Sequence, residues 1–310
     1  MIYLVISQIL IGLLFIKFYK YLPVLIIQNN IKIHSGGYLF AISLINFYFY
    51  SYIFLDKSFE LILFPLIAFI IGAIDDKFNI NPLIRIFLLT VLILSLVNYN
   101  SDYNINFLIF DGKIFKVNSP FDLIFTCLCF LLLLNSINFS DGINCLAGLI
   151  FLFYFAYMGI KFEKNVYLHL IIIFSLFLFL FMNWKNKCYL GDAGVYLLSF
   201  LISQIIILNY KSNYQNFNVE EIFLILYLPG YDLLRLFFYR LFKKKSPFEG
   251  DKNHIHHLLL AKIGSLRTLF IYLVSLSLPV IFLSLLNINY LICIVLSVLI
   301  YISLLNYAKN

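Results

Sequence analysis

Two carboxylates, Asp75 and Asp76, stand side by side where the uncharged apolar run Leu61 to Ile74 ends, and Lys77 follows directly. Like charges this close resist joint ionisation unless a cation lies nearby. A divalent metal, or a phosphate group that needs one, is the natural partner. A solvated helix end accounts for one such pair equally well, because acids are common at helix termini. Three lone aspartates, Asp141, Asp192 and Asp232, recur where other apolar runs meet polar residues.

Each has chemically pointed neighbours. Asn135, Asn138 and Asp141 are spaced three apart and share one face if helical. Gly142 beside them lets backbone approach a ligand. A polar loop with Asp141 capping the next helix explains the same residues. In Gly191-Asp192-Ala193-Gly194, a helix start would offer N–H groups and a dipole to an anion, while Asp192 suits a metal. Capping by Asp192 is the plainer alternative. Three histidines in four residues, His254, His256 and His257, follow Ser246-Pro247-Phe248-Glu249-Gly250-Asp251 and the run Lys243-Lys244-Lys245. Their spacing is not that of a closed zinc site, and phosphate contact is the preferred reading over a solvated basic loop. Asp232 follows Pro229-Gly230, a pair that should break its helix and open a protein-buried or watered cavity. Asp232 and Arg235, three apart, would also pair simply with each other. His169 reads as an interface histidine, and the five cysteines as apolar filler.

The elements that must position these residues are membrane helices. The chain is 63% hydrophobic and 12% charged, against about 25% charged in soluble domains. Apolar stretches near the ~20 residues that span a bilayer recur throughout. Eleven helices are expected, at 2–22, 38–55, 59–74, 82–98, 121–137, 144–161, 166–183, 191–209, 220–242, 268–286 and 289–307. They form one all-α polytopic domain, 1–310. The first apolar run lacks a basic n-region and a small-residue cleavage site, so no cleavable signal peptide is expected. Asp111-Gly112 in the longest outer joint reads as a small β-hairpin. With the N-terminus outside, sixteen of the 22 Lys and Arg residues fall on the inner side. The positive-inside rule then puts the C-terminus in the cytoplasm. Seven of the 15 acids lie there too, including every aspartate singled out, and that face nets about +9. Such a face attracts anionic headgroups or nucleotides.

Taken in order, the motifs resemble those of the polyprenyl-phosphate N-acetylhexosamine-1-phosphate transferases. That family includes undecaprenyl-phosphate GlcNAc-1-phosphate transferases and phospho-MurNAc-pentapeptide transferase. Its adjacent aspartates match Asp75-Asp76, its Asn-x-x-Asp-Gly matches Asn138 to Gly142, and its Gly-Asp-x-Gly matches Gly191 to Gly194. Its His-x-His-His loop matches His254 to His257, with the Ser-Pro-Phe before it. Many relatives have Gly where Cys145 stands, Ser where Val195 stands and Gly where Ser199 stands. The usual basic segment before Gly36-Gly37 is reduced here to Asn29-Asn30-Ile31-Lys32-Ile33-His34-Ser35.

The resemblance implies a bundle of ten or eleven spans with a cytoplasmic cleft, in a bacterial inner membrane. It implies attack of polyprenyl phosphate on the β-phosphorus of a UDP-N-acetylhexosamine, with UMP leaving and Mg2+ (or Mn2+) as cofactor. Asp192 is then the metal ligand, with Asp76 beside it, and Asp75 or Asp76 orients the lipid phosphate. Asn138 and Asp141 support metal or nucleotide, Gly191 admits the substrate, and Lys77, His254, His256 and His257 bind phosphate. Nucleic acid is not an expected partner; a homo-oligomer is compatible with this reading. An ion-coupled transporter is the alternative, since intramembrane acids and a broken helix suit one. Against it, the acids cluster on one face and the two halves show no repeat.

Overall fold

The computed structural model describes residues 2–22, 24–27, 30–54, 59–163, 165–213, 216–246, 252–286 and 288–309. Each of the eleven expected spans is a helix: α1 (Ile2–Phe18), α2 (Gly36–Phe54), α3 (Glu60–Phe78), α4 (Pro82–Tyr99), α5 (Phe121–Ser140), α6 (Leu146–Lys161), α7 (Val166–Trp184), α8 (Gly191–Ser212), α9 (Val219–Phe242), α11 (Ser265–Leu286) and α12 (Tyr290–Lys309). A short helix between them, α10 (Ile255–Ile263), carries His256 and His257. Among the described residues, eight helices, α1, α4, α5, α7, α8, α9, α11 and α12, are long and apolar enough to cross a bilayer. α6 is apolar but has only 16 residues, and α3 carries Glu60, Asp75, Asp76 and Lys77 at its two ends.

α8 is the axis of the bundle. Its apolar window is 89% buried, against 22% for α12, whose outward face is apolar and suits lipid. α3 makes the most extensive packing of any helix against α8, and α2 and α5 flank it. The turn from α3 to α4 is short for local reasons. Asn79 ends α3 in the left-handed region at φ 48°, its N–H returning to the Asp75 carbonyl. Asn81 then caps α4 by accepting from the Leu83 N–H at 2.9 Å, with Pro82 in the first turn. Both are favoured chemistries for these positions. They leave Asp75 and Arg85 facing each other across the turn.

The expected break in α9 is not there. Pro229 sits inside a helix that continues to Phe242. Proline removes one backbone bond, but packed neighbours make that tolerable within a membrane bundle. Here Pro229 is buried, and Tyr227, two residues earlier, donates its hydroxyl to the Ser275 carbonyl of α11.

The expected hairpin is β3 (Phe107–Phe110) with β4 (Lys113–Lys116), antiparallel, pairing Phe107 with Lys116. Asp111 and Gly112 both have positive φ, as a two-residue type I′ turn demands. Ile109 N–H donates to the Tyr210 hydroxyl and Asp111 N–H to Glu220, so the hairpin closes on the end of α8 and the start of α9. A second hairpin, β1 (Val24–Ile27) with β2 (Asn30–Ile33), was not legible in the sequence. Its first strand, Val-Leu-Ile-Ile, has no alternation to separate it from an apolar helix end.

Candidate active site

The last turn of α3, the first turn of α4 and the first turn of α8 meet at one end of the bundle. Gly72 makes this meeting close. A Cβ at residue 72 would lie 2.5 Å from the Asp192 carbonyl and 2.6 Å from the Ala193 nitrogen. One turn further along, Asp76 therefore reaches the start of α8. It accepts from the Asp192 N–H at 2.9 Å and the Ala193 N–H at 3.1 Å. His34 Nδ1 stands 3.0 Å from the same carboxylate. A helix N-terminus favours negative charge, and here the protein supplies its own. Asp192 does not cap α8 with its side chain; Asp76 caps it from another helix. Gly191, which opens α8 at φ +69°, leaves the space that the Asp76 carboxylate fills.

Asp75 is 4% exposed, so the solvated-helix-end reading fails for it. Arg85 donates to Asp75 Oδ2 at 2.9 Å, and the Ile80 N–H donates to its Oδ1 at 2.9 Å. The same guanidinium nitrogen lies 4.0 Å from Asp192 Oδ2. One cation thus stands between two carboxylates. Asp192 accepts from the Asn138 amide through Oδ1. Its side chain is 30% exposed, against 12% for Asp76 and 4% for Asp75. Among the three, Asp192 is the most exposed, and its Oδ2 accepts no hydrogen bond from Arg85, since 4.0 Å is too long for one. A set of hard oxygen donors with one open position fits Mg2+ or Mn2+.

The second half of the site is built on α5 and α10. Asp141 ends α5 as its C-cap, and Cys145, not Asp141, precedes α6. A cavity of about 330 Å³ is lined by Asn138, Phe139, Asp141, Gly142, Lys252, His254 and His257. The His256 and His257 ring centroids are 4.3 Å apart. Both rings lie against Gly142, where a Cβ would meet His256 Nε2 at 2.9 Å. Burial, with His257 and His254 beside it, pushes His256 down to about 3. It is therefore a neutral ring at ordinary pH. Asn138 joins the halves: it holds Asp192 on one side and lines the cavity on the other.

A profile of the glycosyl transferase family 4 matches residues 58–210. The chain is 31% identical to an undecaprenyl-phosphate alpha-N-acetylglucosaminyl 1-phosphate transferase of Thermotoga maritima, over 72% of this chain and 68% of that one. The chain belongs to glycosyl transferase family 4. A phospho-N-acetylmuramoyl-pentapeptide-transferase of Dictyoglomus turgidum is 32% identical, over 71% and 72% of the two chains. A Yersinia pestis protein with the same name as the Thermotoga relative is 26% identical, over 65% of this chain and 58% of its own. This family member is a polytopic membrane phosphotransferase.

In this family 4 chain, the structure gathers Asp75, Asp76, Gly191 and Asp192 into one cluster. Asn138, Asp141, His254 and His257 line the adjoining cavity, and His256 packs behind it. Lys77 is exposed, with its ammonium 5.1 Å from the Phe78 ring centroid. Arg85, not Lys77, is the basic residue that stands between the carboxylates of Asp75 and Asp192. The segment 247–251, read as part of the histidine loop, lies outside the described residues. Sequence reasoning missed Arg85 and His34. Arg85 had a signal, being a basic residue inside the first turn of an apolar helix. His34 had only the scarcity of histidine, with five in the chain. His169 is buried in α7 beside Phe155 and Gly159 of α6, as an interface histidine should be.

Proposed function

We propose that this chain transfers an N-acetylhexosamine 1-phosphate from a UDP-sugar to polyprenyl phosphate, releasing UMP at the cytoplasmic face of a bacterial inner membrane. The observation that carries this reading is the junction at Asn138, where a carboxylate cluster with one open oxygen meets a polar, histidine-lined cavity. A nucleoside diphosphate needs both: oxygen ligands for its cation and N–H donors for its phosphates.

The bond that forms joins an oxygen of the lipid phosphate to the β-phosphorus of the nucleotide sugar. The bond that breaks joins that phosphorus to the oxygen leaving with UMP. Asp192 is the residue that would hold Mg2+, which supplies charge neutralisation at the diphosphate oxygens. Asp76 has its oxygens on the α8 amides and His34, so its role is to hold Asp192 in place. Asp75 is tied to Arg85 and Ile80. Neither is a free base, and none is demanded, because a phosphate monoester has its second pKa near ~6. The carboxylate cluster positions; it does not strip a proton. His254 and His257, with Lys252, face the diphosphate.

The acceptor chain has an apolar place to lie. A cavity of about 290 Å³ between α5, α8 and α9 is lined by Leu108, Leu133, Ser136, Ile206 and Leu226 among others. It extends from the hairpin, at Leu108, to Ser136 in the last two turns of α5. The lysine and arginine count on the inner side supports the cytoplasmic orientation.

Membranes containing this protein should release UMP from a UDP-N-acetylhexosamine, dependent on polyprenyl phosphate and Mg2+. Absence of release across a panel of such nucleotides, with folded protein verified by size exclusion in detergent, overturns the reading.

A further inference from the structure

The Asp232 carboxylate is buried in α9, yet it is shared by three elements. Arg235 donates to its Oδ1 at 2.7 Å and Tyr301 of α12 donates to the same oxygen at 3.1 Å. His254 Nδ1 lies 2.8 Å from Oδ2, and the Ile255 N–H lies 3.2 Å from it. Arg235 completes the frame by donating to the Tyr301 hydroxyl and to the Asn253 carbonyl, each at 2.7 Å. This is far more than the Asp232–Arg235 pair that spacing suggested.

The arrangement fixes one ring. In its plane, His254 is held through Nδ1 and through the backbone of the next residue. Across its faces it is stacked on Phe139 at 5.2 Å and His256 at 5.5 Å between ring centroids, each tilted by 22°. With Nδ1 committed to the carboxylate, Nε2 is the atom left to offer. It is buried and has no hydrogen-bond partner among the described residues. A buried ring nitrogen without a partner is costly, a cost that a bound ligand would relieve.

Asp232, His254 and His256 also lie within reach of a single metal ion. The carboxylate argues against that. Both its oxygens already accept from donors, and Arg235 neutralises it at contact distance. A carboxylate that orients a histidine through Nδ1 so that Nε2 can act is a familiar device.

We infer that Asp232 is a positioning residue of the histidine loop: with Arg235 and Tyr301, it sets the ring of His254 so that Nε2 meets the diphosphate of the nucleotide sugar. This rests on the transferase reading above. It makes α12, which packs on α9 and α10, part of the frame of the site.

A double-mutant cycle on the full chain tests it, read as kcat/KM for UMP release. Asp232→Asn should lower kcat/KM by about 10–100-fold, as removal of an orienting carboxylate does. In a His254→Ala background the same change should cost less than about twofold, because Asp232 acts through His254. Tyr301→Phe, which leaves both charges in place, should give a smaller loss that is likewise silent without His254. It carries the test if Asp232→Asn does not fold. Equal losses in both backgrounds would make the network merely structural and overturn the inference while leaving the transferase reading intact. One transition-metal ion per purified chain, lost in His256→Ala, would overturn it in favour of a metal site. A wild-type chain that releases no UMP overturns both readings together.

Discussion

At the residue scale, three carboxylates share a small space and are told apart by their partners. Asp75 has Arg85, Asp76 has the amides of α8 and His34, and Asp192 has Asn138 with one oxygen open. Asp192→Asn should therefore abolish nearly all turnover, roughly 10²–10³-fold in kcat, with unchanged thermal stability; retained turnover would refute the metal role. Arg85→Gln has a different signature. It strands a buried carboxylate, which costs about 3–5 kcal/mol, and a second change, Asp75→Asn, should restore much of the lost thermal stability in detergent. If the double variant is no more stable than Arg85→Gln, the pair is not what holds the turn. His256 gives a pH prediction. Its folded value of about 3 lies below the ordinary 6.5, so between those values the unfolded chain binds the extra proton. Stability is then fully present above about pH 6.5 and falls as pH drops toward 3. His256→Phe should flatten the acid side of a plot of Tm against pH; an unchanged slope would show that the ring is not buried neutral.

At the scale of elements, the decisive contact is α3 against α8. Gly72 lets two helix backbones touch, and Asp76 can cap α8 only because they do. Gly72→Ala should force the helices apart at a cost of about 1–3 kcal/mol and reduce turnover, while helix content by circular dichroism stays constant. Full activity in that variant would mean that the close approach does not set the site. Cys145 carries a related lesson. It stands at φ +69°, with its N–H donated to the Asn183 side chain. Glycine, the residue expected there from the resemblance, adopts that conformation without the ~1–2 kcal/mol that a side chain costs. The departure was visible in the sequence, but its reason was not. Element existence was legible because apolar length and helical period are local properties. The continuity of α9 was not, because whether Pro229 breaks a helix depends on what packs around it. The transporter alternative loses its broken helix on that finding.

At the scale of the whole molecule, the bundle has two chemically different ends. One holds the carboxylates, Arg85 and the histidines; the other is closed by the β3–β4 hairpin on Tyr210 and Glu220. The basic residues are distributed to match, and the proposed orientation follows from them. Lys116→Cys in the hairpin and Lys262→Cys in α10 should react with a membrane-impermeant maleimide from opposite sides, Lys116→Cys from outside intact cells. Labelling of both from one side would refute the topology.

The sequence by itself determined that this is a membrane bundle and which residue types would do its chemistry. Composition fixes the solvent, the helical period fixes the elements, and an aspartate inside an apolar run announces itself because burial of a charge is costly. Only the tertiary structure decided the partners. Asp76 and Asp192 are 116 residues apart, Asp75 and Tyr196 are 121 apart, and Tyr301 is 69 from Asp232. Such pairings arise from how close two helices approach and at what height, and that depends on glycines, turns and packed neighbours acting together. No local pattern encodes it, which is why Asp75 and Asp76, adjacent and identical in the chain, are bound by different partners in the fold.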